Sequence, residues 1–465
     1  MNKPSARGIS RREFLRRSTM LAAAGFLAAC SSQVPQPQPA PAEGESPGGA
    51  AAPAKEGVTL QYWVGWGELT PFFDKFKELP EYKELLGDVN VELKPSVATE
   101  ALLTAVASGT PPDMTSEAPY LDLMARGVLA PLEELVAGSS IIKKEDFIEG
   151  NWEAGKYQGK LYGIPALECF VRYGLNYNTR MVEAAGLDPE NPPVTWQEAL
   201  EWHKELTKFD DAGNLLQIGL DPYDAEGGAV GDGFYATRSW GFEWFNEETG
   251  EFNLDNEMMA EAFDVMGEFY RIAGPDNIAG MRSVEGQDTW GGSYNAEVQA
   301  MIIEGYWHPG ETAIQKPEVA KYNRATWAPV PENRRGVKVQ GTGGHYVVIF
   351  KESKHIPLSF KFAEFLNTKS AMELVFKEVG WLPAYIPFIE SADPSAYPGL
   401  EWYFKSVKEA DEIRGPARCP ITAFVQDTYN QLREEVYRDN MTAAAAAAEF
   451  QKRCVEEYKA AGFAG

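Results

Sequence analysis

The residues with the clearest chemistry in this chain are tryptophans and carboxylates. The sequence holds 12 Trp, and Trp66, Trp240, Trp244, Trp290, Trp307 and Trp381 fall where loops are expected. A flat electronegative ring accepts the weakly positive C–H face of a pyranose. Carboxylates accept hydroxyl hydrogen bonds worth about 1.5–3 kcal/mol each, and an analogue lacking the hydroxyl leaves the carboxylate unpaired. Glu68, Glu117 and Glu168 stand near such aromatics or strand ends. A site mixing apolar faces with a few fixed polar groups suits a carbohydrate. Large aromatics are more often core, so about half of these tryptophans are expected inside.

Other chemistries are poorly supplied. H-E-x-x-H does not occur, the G-x-S-x-G match at Gly44–Gly48 falls in a Pro- and Gly-rich stretch rather than between a strand and a helix, and 68 acidic residues make carboxylate pairs too common to mark a glycosidase. The four histidines are scattered and the four cysteines lack C-x-x-C spacing. The glycines at 227–233 match no phosphate loop, and Asp210–Asn214 reads as a turn rather than a calcium loop. No catalytic residue, metal or cofactor is expected. Acids with aromatics also suit a polyamine or a peptide, which stays open as the alternative. A secreted glycoside hydrolase comes third.

The formal charge of −25 deepens once the six basic residues and one acid of positions 1–29 are removed. Such a surface repels nucleic acid and anionic lipid. Ser10-Arg11-Arg12-Glu13-Phe14-Leu15-Arg16 matches a twin-arginine export signal. The apolar run Met20 to Ala29 is too short for a mature membrane span and ends in Leu27-Ala28-Ala29-Cys30, a lipobox. Residues 1–29 are therefore expected to be a lipoprotein signal, and Cys30 the lipid-bearing residue. Residues 30–56 are almost wholly Ser, Gln, Pro, Ala, Gly and Glu, a disordered tether. Cys169, Cys419 and Cys454 are expected as buried free thiols.

The elements that must position these groups begin at residue 57. Val58–Val64 reads as a strand, a helix is expected from Thr70 through Leu79, and Val89–Lys94 reads as a second strand. Glu100–Ser108 is helical in period and leads past Gly109-Thr110-Pro111-Pro112-Asp113 to a third strand. Two βαβ units imply an α/β fold, whose ligands sit beyond strand carboxyl ends. Trp66, Glu68, Glu117 and Tyr120 occupy such ends. Thr195–Leu200 reads as an N-cap followed by the start of an amphipathic helix. Gly159–Met181 holds two β-type runs, the second over Phe170–Tyr177, separated by Pro165–Cys169. Local pattern fits either one hairpin or a segment joining two sheets.

Here the sequence resembles the extracellular solute-binding proteins of ABC importers, the family that includes maltose-binding protein. Gly159, Lys160, Tyr162, Pro165, Glu168, Tyr177 and Asn178 match its hinge-crossing segment. Ala107, Gly109, Pro112 and Asp113 match its third element, and Ala300, Met301, Gly305 and Trp307 its A-M-x-x-x-G-x-W. Gly341–Tyr346 resembles the return crossing, and Gly380–Ala384 a further family turn.

The resemblance implies a two-lobed periplasmic-binding-protein fold (type II) with the ligand in a cleft between hinged lobes. Lobe 1 would comprise residues 57–166 and about 341–374, and lobe 2 about 167–340 and 375–465. Trp66, Trp307 and Trp381 are the expected stacking residues, with Trp240 and Gly343 completing the lining and Glu68, Glu117 and Glu168 accepting hydroxyls. Such a protein would capture a carbohydrate and deliver it to membrane permease subunits. It would act as a monomer, lipid-anchored outside the cytoplasmic membrane after twin-arginine export.

Overall fold

The computed structural model describes residues 57–224, 235–284 and 292–463. The export signal, Cys30, the tether, the glycine run at 227–233 and Trp290 lie outside them. The main strands in chain order are β1 Thr59–Val64, β2 Asn90–Lys94, β3 Met114–Ser116, β4 Gly163–Pro165, β5 Gly174–Asn178 and β6 Lys208–Phe209. They continue with β7 Leu215–Leu220, β8 Gln299–Glu304, β9 Asn323–Thr326, β10 Val339–Gly341, β11 Tyr346–Ile349 and β12 Glu412–Arg414. The helices used below are α1 Thr99–Ala107, α2 Tyr120–Ala125, α3 Trp196–Leu206, α4 Glu257–Ala273, α5 Trp307–Gln315, α6 Ile356–Leu366, α7 Lys369–Val379, α8 Thr422–Tyr437 and α9 Ala443–Ala460.

Two five-stranded sheets organise these elements, in the orders β2-β1-β3-β11-β4 and β9-β5-β8-β7-β6. Alternation in β1 buries Leu60, Tyr62 and Val64 on one face. In β8 all six residues are buried, as expected of a central strand covered on both faces. The parallel register of β1 and β3 sets Val64 opposite Ser116. Gly65–Glu68 and Glu117–Tyr120 therefore leave the sheet at one level, beyond its carboxyl ends.

Two expected elements differ. The strand expected from Phe170 starts only at Gly174, because Phe170–Tyr173 is a buried connection between the sheets. The helix expected over Thr70–Leu79 is a 3₁₀ segment, Phe73–Glu78, followed by a separate helix at Pro80–Leu86. Proline at a first helical position starts a helix well and holds the preceding residue extended, and Leu79 has ψ of 139°. Thr195 caps α3, as the sequence predicts, and Glu198 closes a capping box with it.

Three chain segments meet between the sheets. The outgoing one, Ala166–Tyr173, runs against the returning one, Gly341–His345. Ala166 N–H donates to the His345 carbonyl (3.1 Å), His345 N–H to the Glu168 carbonyl (2.9 Å), and Arg172 N–H to the Gly341 carbonyl (3.0 Å). A third segment joins where Cys169 N–H donates to the Leu382 carbonyl at 2.9 Å. Gly344, at φ +155°, lies so close that a Cβ would meet Cys169 Cα at 2.8 Å. The thiols of Cys169, Cys419 and Cys454 are buried and unpaired.

Helix α5 and the turn that ends α7 touch backbone to backbone at Gly310 and Gly380. A Cβ on Gly310 would sit 2.6 Å from Gly380 Cα. Backbone cannot rotate aside as a side chain can, so Gly310→Ala should destabilise the fold by about 1–3 kcal/mol. Urea unfolding should show a lower midpoint with an unchanged slope. A midpoint equal to that of the parent would mean that the helices separate freely here.

Candidate functional site

The site grows from the crossing segments. Glu168 and Arg172 lie one short step apart on the outgoing segment, and both are buried. Arg172 Nη1 donates to Glu168 Oε2 at 2.6 Å, and His345 Nε2 of the returning segment stands 3.2 Å from the same oxygen. The other carboxylate oxygen, Glu168 Oε1, is buried without a hydrogen-bond partner. The Arg172 guanidinium lies over the Trp307 ring, 4.7 Å from its centroid. A cation in this position is attracted by the ring quadrupole.

Trp66, past the end of β1, meets His345 edge-on at 4.1 Å and Trp381 at 5.1 Å between centroids. Glu117, past β3, holds φ of +47°, and a Cβ on Gly65 would sit 2.7 Å from its carboxyl carbon. Gly65 thus leaves room for the Glu117 side chain against the β1 turn. Gly305 serves Trp307 in the same way, since a Cβ there would clash with the indole.

Beside these rings sits a pair of carboxyls. Trp381 Nε1 donates to Glu311 Oε1 at 2.7 Å. Burial, then the neighbouring Glu68 charge, pushes the Glu311 carboxyl up to about 8. Burial also raises Glu68, whose Oε2 has no hydrogen-bond partner. Among the described residues, neither acid forms an ion pair with a lysine or arginine.

A cleft of about 530 Å³ opens beside this cluster. Trp66, Glu117, Tyr120 and His345 line it, with Arg172 and, from the chain before α8, Arg418. It offers aromatic surface, carboxylate acceptors and guanidinium donors to a polyhydroxylated ligand. Trp66 and Glu117 of the expected site line it directly. Glu168, Trp307 and Trp381 stand one layer back, each touching a lining residue, and Glu68 lies close enough to raise the Glu311 carboxyl.

Two expected positions need correction. Trp240 is 3% exposed, stacks on Trp196 at 6.0 Å and 14°, and donates from Nε1 to Glu261 Oε2 at 3.0 Å. It belongs to the core under the second sheet, where its size is best buried. Gly343 is a hinge fixture, whose carbonyl accepts from Asn151 Nδ2 at 2.6 Å, while its neighbour Gly344 lines the cleft. Sequence reasoning missed Arg172, Glu311, His345 and Arg418. Arg172 had a signal, as a charge inside an otherwise apolar run. Glu311 stands one helical turn after Trp307, a spacing that puts both on one helix face.

Folding raises the Glu311 pKa, so near neutrality the folded chain keeps a proton that the unfolded chain has released at about pH 4.5. The associated stability is full below pH 4.5 and is lost as pH rises through about 8. Glu311→Gln keeps an acceptor for Trp381 but cannot ionise. Its melting temperature should fall less than that of the parent between pH about 5 and 9. Equal slopes would place the titrating group elsewhere.

The fold has many solved relatives. The mannotriose-bound structure of CpMnBP1 superposes with a TM-score of 0.73 at 20% identity, covering 85% of this chain and all of that one. An ABC transporter solute-binding protein from Thermotoga lettingae, bound with α-D-tagatose, gives 0.70 at 20% identity, covering 85% and 98%. The MalE domain from Bdellovibrio bacteriovorus, bound to maltotriose, gives 0.65 at 18%, covering 86% and 100%. At these identities the likeness establishes the two-lobed binding-protein fold. No curated protein matches the sequence. The bacterial extracellular solute-binding protein model matches residues 66–373, most of the described chain. The chain belongs to that family.

Proposed function

We propose that this protein is the substrate-binding lipoprotein of an ABC importer, capturing a mono- or oligosaccharide between its lobes for delivery to a membrane permease. The cleft carries this reading. Trp66 and Tyr120 present rings, Glu117 an acceptor, and Arg172 and Arg418 donors, all around one space of about 530 Å³. Ligands named in the structures of three relatives are mannotriose, α-D-tagatose and maltotriose. Trp307 and Trp381 back the lining ring and the lining guanidinium, so they act on the ligand mainly by holding those groups. The raised Glu311 carboxyl faces Trp381 rather than the cleft, which speaks against an acid–base pair and for a receptor that is not an enzyme.

The remaining parts follow the sequence. Twin-arginine export would deliver a folded body, Cys30 would carry lipid outside the cytoplasmic membrane, and residues 31–56 would tether a monomer. The lobes would divide as 57–166 with about 341–374, and about 167–340 with 375–465. A ligand that bridges the closed cleft shifts the population towards closure. A second reading, a polyamine or peptide ligand, is favoured by Glu117, a carboxylate set beside aromatic rings in the cleft lining.

Tryptophan fluorescence and melting temperature of the Cys30→Ser chain against saccharides, polyols, polyamines and short peptides separate these readings. A true ligand raises the melting point by mass action. A saccharide should give the strongest response. Trp66→Ala should then weaken it about tenfold or more. Trp240→Ala should leave affinity intact but cost about 3–5 kcal/mol of stability, because it empties core volume. A response to polyamines alone overturns the saccharide assignment, and consumption of any sugar overturns the receptor assignment.

A further inference from the structure

The chain between β12 and α8 packs with the second lobe and lies against the first. Cys419 and the α8 residues Val425 and Tyr429 belong to the core under the second sheet. Arg418, beside them, reaches the first lobe. Its Nη1 donates to the Glu153 carbonyl at 2.9 Å and its Nη2 to the Lys156 carbonyl. Its Nε pairs with Glu247 of its own lobe at 2.9 Å. The receiving turn is itself braced, since Lys144 and Lys156 both donate to the Glu153 carboxylate at 2.8 Å.

A second bond runs the opposite way. Helix α8 begins without a side-chain cap of its own, its cap residue being Ile421. The free N–H groups of a first turn need acceptors, and the helix dipole favours an anion there. Asp122 of α2, in the first lobe, supplies one: its Oδ2 accepts from Ala423 N–H at 3.3 Å. Asp122 is 3% exposed. Burial pushes its carboxyl up to about 7, against the pull of the Ala423 amide, Arg126 and the Thr422 amide. A carboxyl enclosed between two bodies behaves in this way. Arg418 and Thr422 line the cleft from one lobe, and Glu117 and Tyr120 from the other, so both bonds stand at its lips.

We propose that Asp122 and Arg418 are positioning residues of the binding cycle, forming a two-way latch that holds the lobes closed and sets ligand affinity through the closed population. This rests on the two-lobed receptor reading above. Apparent affinity scales with the fraction of molecules able to bind, so weakening the latch weakens binding even where no ligand contact is lost.

The test uses the full chain with Lys83→Cys on the first lobe and Leu216→Cys on the second, both spin-labelled, and mannotriose as the probe. Distance distributions give the closed fraction, free and with mannotriose, and titration gives the dissociation constant. Asp122→Ala and Arg418→Ala should each lower the closed fraction and weaken mannotriose binding about fivefold, and the double variant further. Asp122→Asn keeps an acceptor for Ala423 N–H and should restore both readouts. An unchanged closed fraction in both alanine variants overturns the latch. Weaker binding with an unchanged closed fraction also overturns it, because Arg418 would then act by touching the ligand. If the parent does not bind mannotriose, a closed fraction lowered in both alanine variants still supports the latch, and only the choice of mannotriose as the saccharide fails.

Discussion

The ion pair between Glu168 and Arg172 is the contact to which the rest of the site is indexed. Both side chains are almost wholly removed from water, 4% and 6% exposed. Removing one partner of such a pair strands the other and costs about 3–5 kcal/mol. The pair gives position rather than net stability. Arg172 lies over Trp307, while His345, on the same Glu168 oxygen, meets Trp66 past the end of β1. One carboxylate between the two sheets thus fixes two rings.

That arrangement demands close backbone approach, and glycine supplies it at a few places only. Gly344 admits Cys169 where the outgoing and returning segments touch, and Gly305 lets the Trp307 indole fold back beside β8. Gly310 against Gly380 brings the helix that carries Glu311 onto the turn that carries Trp381. The hydrogen bond between those two side chains depends on this approach. Packing and site geometry are one constraint here, felt at different residues.

Much of this was legible from the sequence because it is local. Alternation in Thr59–Val64, the cap at Thr195, and the matched ends of β1 and β3 follow from period and capping chemistry within a few residues. They put Trp66 and Glu117 beyond the strand ends, beside the cleft. What failed was non-local. Trp240 and Trp66 both follow elements in loop-like sequence, and only the tertiary fold decides that one meets Trp196 and the other a cleft. His345 and Arg172 are 173 positions apart, and no spacing rule joins them. Pro80 was readable but underweighted, and it breaks the expected helix at Leu79.

The buried acceptors behind the cleft carry a cost that the fold accepts in order to hold the lining in place. Among the described residues, Glu68 Oε2 and Glu168 Oε1 are closed to solvent without a hydrogen-bond partner. Leaving such an oxygen unsatisfied costs about 1–3 kcal/mol, more when it is charged. A fold selected for stability alone would replace these acids with apolar residues of similar size. These oxygens stand behind the lining, so their cost is borne in the folded chain, and they act on a ligand through the groups they hold: Glu168 fixes Arg172, which lines the cleft. On the proposed reading, a saccharide meets Trp66, Glu117 and Arg172 at the surface, and the buried acids set where those groups stand.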